Sequence, residues 1–208
     1  MGLVRALAPP GAIVLALAVP VLAGGTAQAQ SPSGWQAGSF VDEVRAGVLG
    51  HDVRFAGGRE PGADISAELL LVSPFPRDWG TSLPDWLAWL AGPRPFLGGN
   101  LNTDGATDQA YAGLSWTIPL VPRLLSDGDG VTFDLDFGPG FNNGHVNPTT
   151  PDRKALGSNV LFRLAAELGW HVTPRFGVYL LFEHVSDAGF AQYNQSLNEA
   201  GLRIGYRF

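Results

Sequence analysis

Near the end of the chain a histidine and a serine stand two positions apart, His184 and Ser186, in the run RFGVYLLFEHVS. Side chains of a strand alternate with period two, so this spacing puts both residues on one face, side by side. An imidazole beside a hydroxyl is the minimal pair for nucleophilic catalysis, because the ring can take the proton as the oxygen attacks. The same face carries Phe176, Val178, Leu180 and Phe182, while Gly177, Tyr179 and Glu183 fall on the other. Polar groups that end an apolar row have one of two meanings. Either they are used, or they stand among headgroups above the hydrocarbon, where an ionisable residue costs only about 0–1 kcal/mol.

The elements that must hold this pair are read from period-two runs. Strand-like segments occupy about 42–53, 63–73, 95–102, 109–120, 131–141, 159–172, 175–186 and the closing EAGLRIGYRF. In the fifth, Val131, Phe133, Leu135 and Phe137 alternate with Thr132, Asp134 and Asp136, the pattern of apolar-out and polar-in. Most runs approach the 9–11 residues that a tilted strand needs to cross a bilayer. Strands survive in lipid only when every backbone group is paired, which requires closure. The expected fold is all-β, an eight-stranded antiparallel transmembrane barrel. In the last run Leu202, Ile204, Tyr206 and Phe208 share one face, and Arg203, Gly205 and Arg207 the other. Ending on an outward Phe resembles the C-terminal signature of bacterial outer-membrane barrels. Inward Arg203 and Arg207 are expected to pair with Glu167, Glu183, Asp134 or Asp136, filling the interior as a plug rather than a pore. A soluble sandwich or lipocalin-like barrel also gives short alternating strands, but it leaves the terminal Phe and the low charge unexplained.

Only 15% of the residues are charged and 28 are glycine, an unusual balance for a soluble exported domain and a natural one for faces turned to lipid. Residues 1–29 carry Arg5, the apolar run AIVLALAVPVLA and a small-residue AQA end, the layout of a cleaved export signal. The remainder, 30–208, reads as a single barrel domain. A net charge of -6 argues against nucleic acid as a partner. The absence of cysteine removes disulfides and thiolate chemistry. Between 75 and 95 lies a Trp- and Pro-rich insert in which Trp86, Leu87, Trp89 and Leu90 follow Asp85 at the spacing of a short amphipathic helix. His51, His145 and His171 are scattered without metal-ligand spacing, so they read as solvated, with no metal and no cofactor expected. With a periplasmic N-terminus, loops after the odd strands face outward, which puts His184 and Ser186 at the outer rim and the insert on the periplasmic side. Asn142, Asn143, Asp152, Arg153 and Lys154 then sit on an outer loop that could meet phosphates or sugars.

The stretch EHVSDAGFAQYNQSLNEAGLRIGYRF resembles the C-terminal signature of the lipid A 3-O-deacylase family, PagL-like barrels. That signature is His-x-Ser-Asn, a short Asn-containing loop, an acidic residue and a final strand ending in Tyr-x-Phe. The resemblance implies an outer-membrane barrel that hydrolyses the ester-linked acyl chain at position 3 of lipid A, with a Ser-His-acid triad on its outer surface. Ser186 would be the nucleophile and His184 its base. Two positions depart from the pattern. The Asn after the serine is Asp187 here, so oxyanion stabilisation would pass to backbone N–H groups around Ala188 and Gly189. The acid position falls on Asn198, with Glu199 one step on and turned inward unless a bulge rotates it outward. The implied partner is lipopolysaccharide in the outer leaflet. Whether two barrels pair as a homodimer stays open, as does a weakened or inactive barrel with a structural or adhesive role.

Overall fold

Alternating side chains force the two faces of each strand into different media, and the observed burial follows that alternation almost residue by residue. The computed structural model describes residues 40–54, 58–76, 79–125 and 128–208. The predicted export signal, 1–29, lies outside the described residues. Eight antiparallel strands run in sequence order: β1 (Val41–Gly50), β2 (Ala63–Leu71), β3 (Arg94–Asn102), β4 (Gln109–Val121), β5 (Gly130–Asn142), β6 (Val160–His171), β7 (Phe176–Ser186) and β8 (Leu197–Arg207). β1 pairs with β8, from Glu43 against Arg207 to Gly50 against Ala200, so the sheet closes with no free edge. Closure leaves no unpaired row of backbone donors for the bilayer to penalise.

The outside of the barrel is an apolar belt. Leu202 is 60% and Ile204 69% exposed, alongside Phe137, Leu164, Leu168, Leu180 and Phe182. A continuous surface of this kind is stable only against lipid. At one edge the rings of Phe176, Tyr206 and Phe208 meet edge-on, with centroids 5.1 and 5.2 Å apart. The terminal Phe is therefore part of an interfacial aromatic cluster.

The inside is a dense network of buried charges. Arg203 donates to Glu167 at 2.7 Å and to Glu68 at 3.1 Å. Arg163 pairs with Glu183 at 2.7 Å and lies 3.9 Å over the Tyr111 ring. Arg45 holds Asp134 at 2.7 Å, together with Glu43 and Glu167. Buried charges cost several kcal/mol unless paired, and the filled barrel brings each of these arginines to acids from several strands, although both oxygens of Asp136 make no hydrogen bond. The expected partners are partly re-sorted. Arg203 does find Glu167, but Arg207 meets Glu43 at 3.4 Å, because the register sets it directly opposite Glu43 at the barrel end, four residues along β8 from Arg203.

The Trp-rich insert between β2 and β3 is not an α-helix. It forms two 3-10 turns, Trp79–Ser82 and Asp85–Ala91. Pro84 and the Gly92–Pro93 pair leave too few residues for α-helical hydrogen bonds to propagate, and the short tight form results. Trp116 of β4 donates its indole N–H to the Leu90 carbonyl at 3.2 Å, tying the insert to the barrel wall. It occupies the rim opposite His184.

Candidate active site

β7 and β8 run antiparallel in unbroken register from Val185 against Leu197 to Phe176 against Tyr206. That register sets His184 directly opposite Asn198. Strand parity then puts both on the outer face with Ser186, and all three are half-buried. His184 Nδ1 lies 2.7 Å from Asn198 Oδ1, and His184 Nε2 lies 3.1 Å from Ser186 Oγ. An amide oxygen only accepts, so Nδ1 carries the proton and Nε2 offers its lone pair to the serine O–H. The result is a chain of three polar groups with the tautomer that a base toward Ser186 requires.

Glu199 is elsewhere. There is no bulge at the start of β8, so it points into the barrel, fully buried, and accepts from Asn100 Nδ2 and Gln109 Nε2, both at 2.5 Å. Asp187 also turns away from the outer face. Its Oδ1 accepts the Gly189 N–H at 2.7 Å and its Oδ2 the Ala191 N–H at 3.1 Å. The carboxylate thus ties down the turn that follows Ser186, which Phe190 N–H closes on Asp187 O at 3.2 Å. Ala188 and Gly189 have φ of 56° and 84°, both positive, as a type I′ turn requires. Of the two amides expected near the oxyanion, Gly189's is already spent on Asp187, and Ala188's is not drawn into that contact.

The turn is braced from the β5–β6 connection. Gly157 has φ of +84°, and a Cβ there would fall 1.9 Å from Tyr193 O and 2.5 Å from Asp187 Oδ2. Gly157→Ala is expected to cost about 1–2 kcal/mol through both strain and displacement of the 187–196 connection. A lower urea midpoint in detergent checks it, and an unchanged midpoint means the contact carries no load.

The family model for lipid A 3-O-deacylase (PagL) matches residues 72–207. The chain belongs to this family. Its barrel is similar to the crystal structure of the outer membrane enzyme PagL, with a TM-score of 0.54 and 16% identity over 80% of this chain and 99% of that one. The N-terminal β-barrel domain of Pseudomonas aeruginosa OprF is a looser likeness, at a TM-score of 0.46 and 12% identity over 81% of this chain and 99% of that one. No curated protein matches the sequence significantly. The PagL-family membership makes this an outer-membrane barrel of a hydrolase family.

In this PagL-family barrel the rim around the pair is locked by buried side chains, among them His51 and Lys154, which were expected in solvent. His51 is buried, with Nδ1 2.8 Å from Asp64 Oδ2 and Nε2 3.1 Å from Glu60 Oε2. Burial alone would lower its pKa, but the two carboxylates hold it up to about 9. Glu60 also accepts from Thr107 Oγ1 at 2.7 Å and from the Lys154 backbone N–H at 2.8 Å. Lys154, expected on an open outer loop, is fully buried between Asp52 and the Ser196 carbonyl. Burial pushes its ammonium below the usual lysine range, although Asp52 pulls the other way. The described residues of the connections after β1, β3, β5 and β7 are thereby stitched into one cap, through Asp52, Glu60, Thr107, Lys154 and Ser196. The Val53 N–H donates to Asn198 O at 2.8 Å, so the cap reaches the strand position opposite His184. His171 is half-buried rather than fully solvated, on the inner face at the opposite end, 3.2 Å from Thr132 Oγ1. His145 is exposed as expected. No periodic signal marks residues such as Glu60 and Lys154, which meet only because the barrel closes. Their one legible hint was acidic and basic residues lying in loops near strand ends.

Proposed function

We propose that this barrel is an outer-membrane esterase that removes the 3-position acyl chain of lipid A, with Ser186 as nucleophile and His184 as base. The observation that carries the reading is the Asn198–His184–Ser186 chain on the lipid-exposed face of a barrel of this family. Ser186 Oγ attacks the ester carbonyl carbon while its proton passes to His184 Nε2. The tetrahedral intermediate collapses by breaking the bond to the sugar oxygen, which takes the proton back from Nε2 and leaves as the 3-hydroxyl. Water then repeats the sequence on the acyl-serine and releases the fatty acid. Asn198 fixes the ring through Nδ1–H. Asp187 shapes the turn rather than donating to the oxyanion, so the Ala188 N–H is the donor nearest the role.

The surroundings support an acyl substrate. Phe162 stands opposite Ser186 and Leu164 opposite His184 on β6. Phe162 stacks on Phe137 with rings 6.3 Å apart, and Phe190, 85% exposed in the β7–β8 connection, leans on Phe162 at 6.1 Å. A chain lying along β6 meets this aromatic wall as its ester reaches the serine. Phe190→Ala is expected to raise KM about 3- to 10-fold with little change in kcat, since one exposed ring contributes about 1 kcal/mol of uniform binding. Steady-state kinetics on lipopolysaccharide micelles read this out, and a pure kcat effect counts against it.

The rim bearing the pair is taken to face outward, where the acylated sugar lies, and residues 1–29 to direct export and be removed. A weakened or silent barrel with a structural or adhesive role is the competing reading, favoured by the uncharged Asn198. Lipid A extracted from a lipopolysaccharide-bearing bacterium that expresses the protein separates the two. The esterase reading expects loss of one hydroxyacyl mass with wild type and none with Ser186→Ala or His184→Ala. An unchanged lipid A, or equal loss in all three, supports the silent barrel.

A further inference from the structure

Beneath the cap, inside the barrel, three carboxylates and one imidazole crowd together with too little positive charge. Asp64, Glu199 and Glu60 all approach His51, and no lysine or arginine forms an ion pair with Asp64 or Glu199 among the described residues. Glu183, next to Glu199 across Asn100, is by contrast matched by Arg163. A protonated His51 satisfies Asp64 through Nδ1 and Glu60 through Nε2, but its Nδ1 stands 3.5 Å from Glu199 Oε1, beyond a useful hydrogen bond. Glu199 is then a fully buried carboxyl group that accepts from two amides and otherwise faces the carboxyl of Glu183, with no lysine or arginine beside it among the described residues. Leaving such a charge without a cation is expensive.

The ligand atoms of His51, Asp64 and Glu199 lie within 4.8 Å of one another, each side chain buried. Bonds of about 2.0–2.2 Å to a small divalent cation set neighbouring ligands about 2.8–3.6 Å apart, from octahedral to tetrahedral angles, so the 2.8 and 3.5 Å separations from His51 Nδ1 span that range. The second shell is also in place. With Nδ1 on a metal, Nε2–H donates to Glu60, the carboxylate–histidine–metal arrangement that orients ligating imidazoles. An independent sign comes from Gln109, which is 5% exposed and whose Oε1 is buried with no hydrogen-bond partner while its Nε2 faces Glu199. Turned over, that amide would present its oxygen to the Glu199 side of the cluster in place of the N–H that now donates there.

We propose that His51, Asp64 and Glu199, with Gln109, form a buried site for one divalent cation of the manganese or zinc class. One imidazole nitrogen with carboxylate and amide oxygens suits these ions. The ion would replace the proton on His51 Nδ1 and join the ends of β1 and β2 to the start of β8. That junction lies on the inner side of the strand whose outer side presents Asn198, so the ion would be a structural staple at the β1–β8 seam. The inference stands on the interior geometry alone and does not depend on deacylase activity.

The test uses the full barrel purified in detergent, stripped with EDTA and reloaded with MnCl2 or ZnCl2. Elemental analysis is expected to find about one ion per barrel. The temperature at which the compact band is lost on heat-modifiable gels should rise by about 5–10 °C over the stripped protein, as tight binding to the folded state alone requires. His51→Ala and Glu199→Gln should bind no ion and show no response to EDTA or reloading. An unresponsive wild type, with Glu199→Gln at least as stable, overturns the proposal and assigns the charge balance to a protonated Glu199. Metal retained equally by both variants overturns it as well.

Discussion

Ser186→Ala is expected to lower the rate of lipid A deacylation by about 10⁴- to 10⁶-fold, with the barrel still folded. The size follows from what the oxygen does. Without Oγ no acyl-serine forms, and the remaining machinery can only position water against the ester, as in hydrolases stripped of their nucleophile. The folding half of the expectation follows from where the side chain sits. Ser186 is half-buried on the outer face at the last residue of β7, and its hydroxyl contacts His184, outside the interior network. Substitutions at the rim, outside the packed interior, move stability by about 0.5 kcal/mol. His184→Ala should cost nearly as much, and the double variant little more than either, because the two groups act as one unit. Turnover on detergent-dispersed lipopolysaccharide, with heat-modifiable mobility as the folding control, measures all three. A loss below about tenfold in Ser186→Ala, with folding intact, would sink the nucleophile assignment.

That prediction was reachable from sequence because it depends on parity, and parity survives without coordinates. Period-two alternation in Val131 to Phe137, and again in Leu202 to Phe208, fixed which faces meet lipid, and β7 obeys the same rule up to Ser186. The placement of Asn198 was legible for the same reason, since the unbroken register makes it the outward neighbour of His184. What stayed hidden has no period. Glu60 gathers His51, Thr107 and the Lys154 amide from three different connections, and only barrel closure brings those segments within reach. The inward turn of Asp187 was hidden too, because a short loop closing on itself offers the carboxylate two nearby backbone donors. Local hydrogen bonds of Asp to following N–H groups compete with any outward role. The insert gave the right composition and the wrong helix type, since flanking prolines and glycines set a length below what α-helical bonding needs.

Asn198→Asp is expected to raise kcat about 10- to 100-fold, and the reasoning shows what the native amide does and does not supply. A third group beside a catalytic imidazole has two tasks, holding the tautomer and stabilising the imidazolium that forms as the serine proton moves. Asn198 performs the first, since Oδ1 accepts from Nδ1 at 2.7 Å. It lacks the charge for the second. In serine proteases an amide in place of the carboxylate costs about 10⁴-fold, a loss that includes the wrong tautomer. Here the tautomer is already right, so only the electrostatic share is recoverable, about 1.4–2.7 kcal/mol for the stated gain. Aspartate is the isosteric choice, because it keeps the oxygen where the amide oxygen now lies, at the register position opposite His184. The sign of the pH effect is fixed by the same charge. A carboxylate favours the protonated ring, so the acid limb of the kcat profile should move to higher pH in Asn198→Asp. Asn198→Ala should instead lower kcat by about 10-fold or more, because nothing then selects the tautomer that presents a lone pair to Ser186. Measured pH–rate profiles of the three proteins separate the two tasks. A gain in Asp with a loss in Ala assigns orientation to the amide and the missing stabilisation to its neutrality. Equal rates in all three would mean that His184 is not the base on the rate-limiting step.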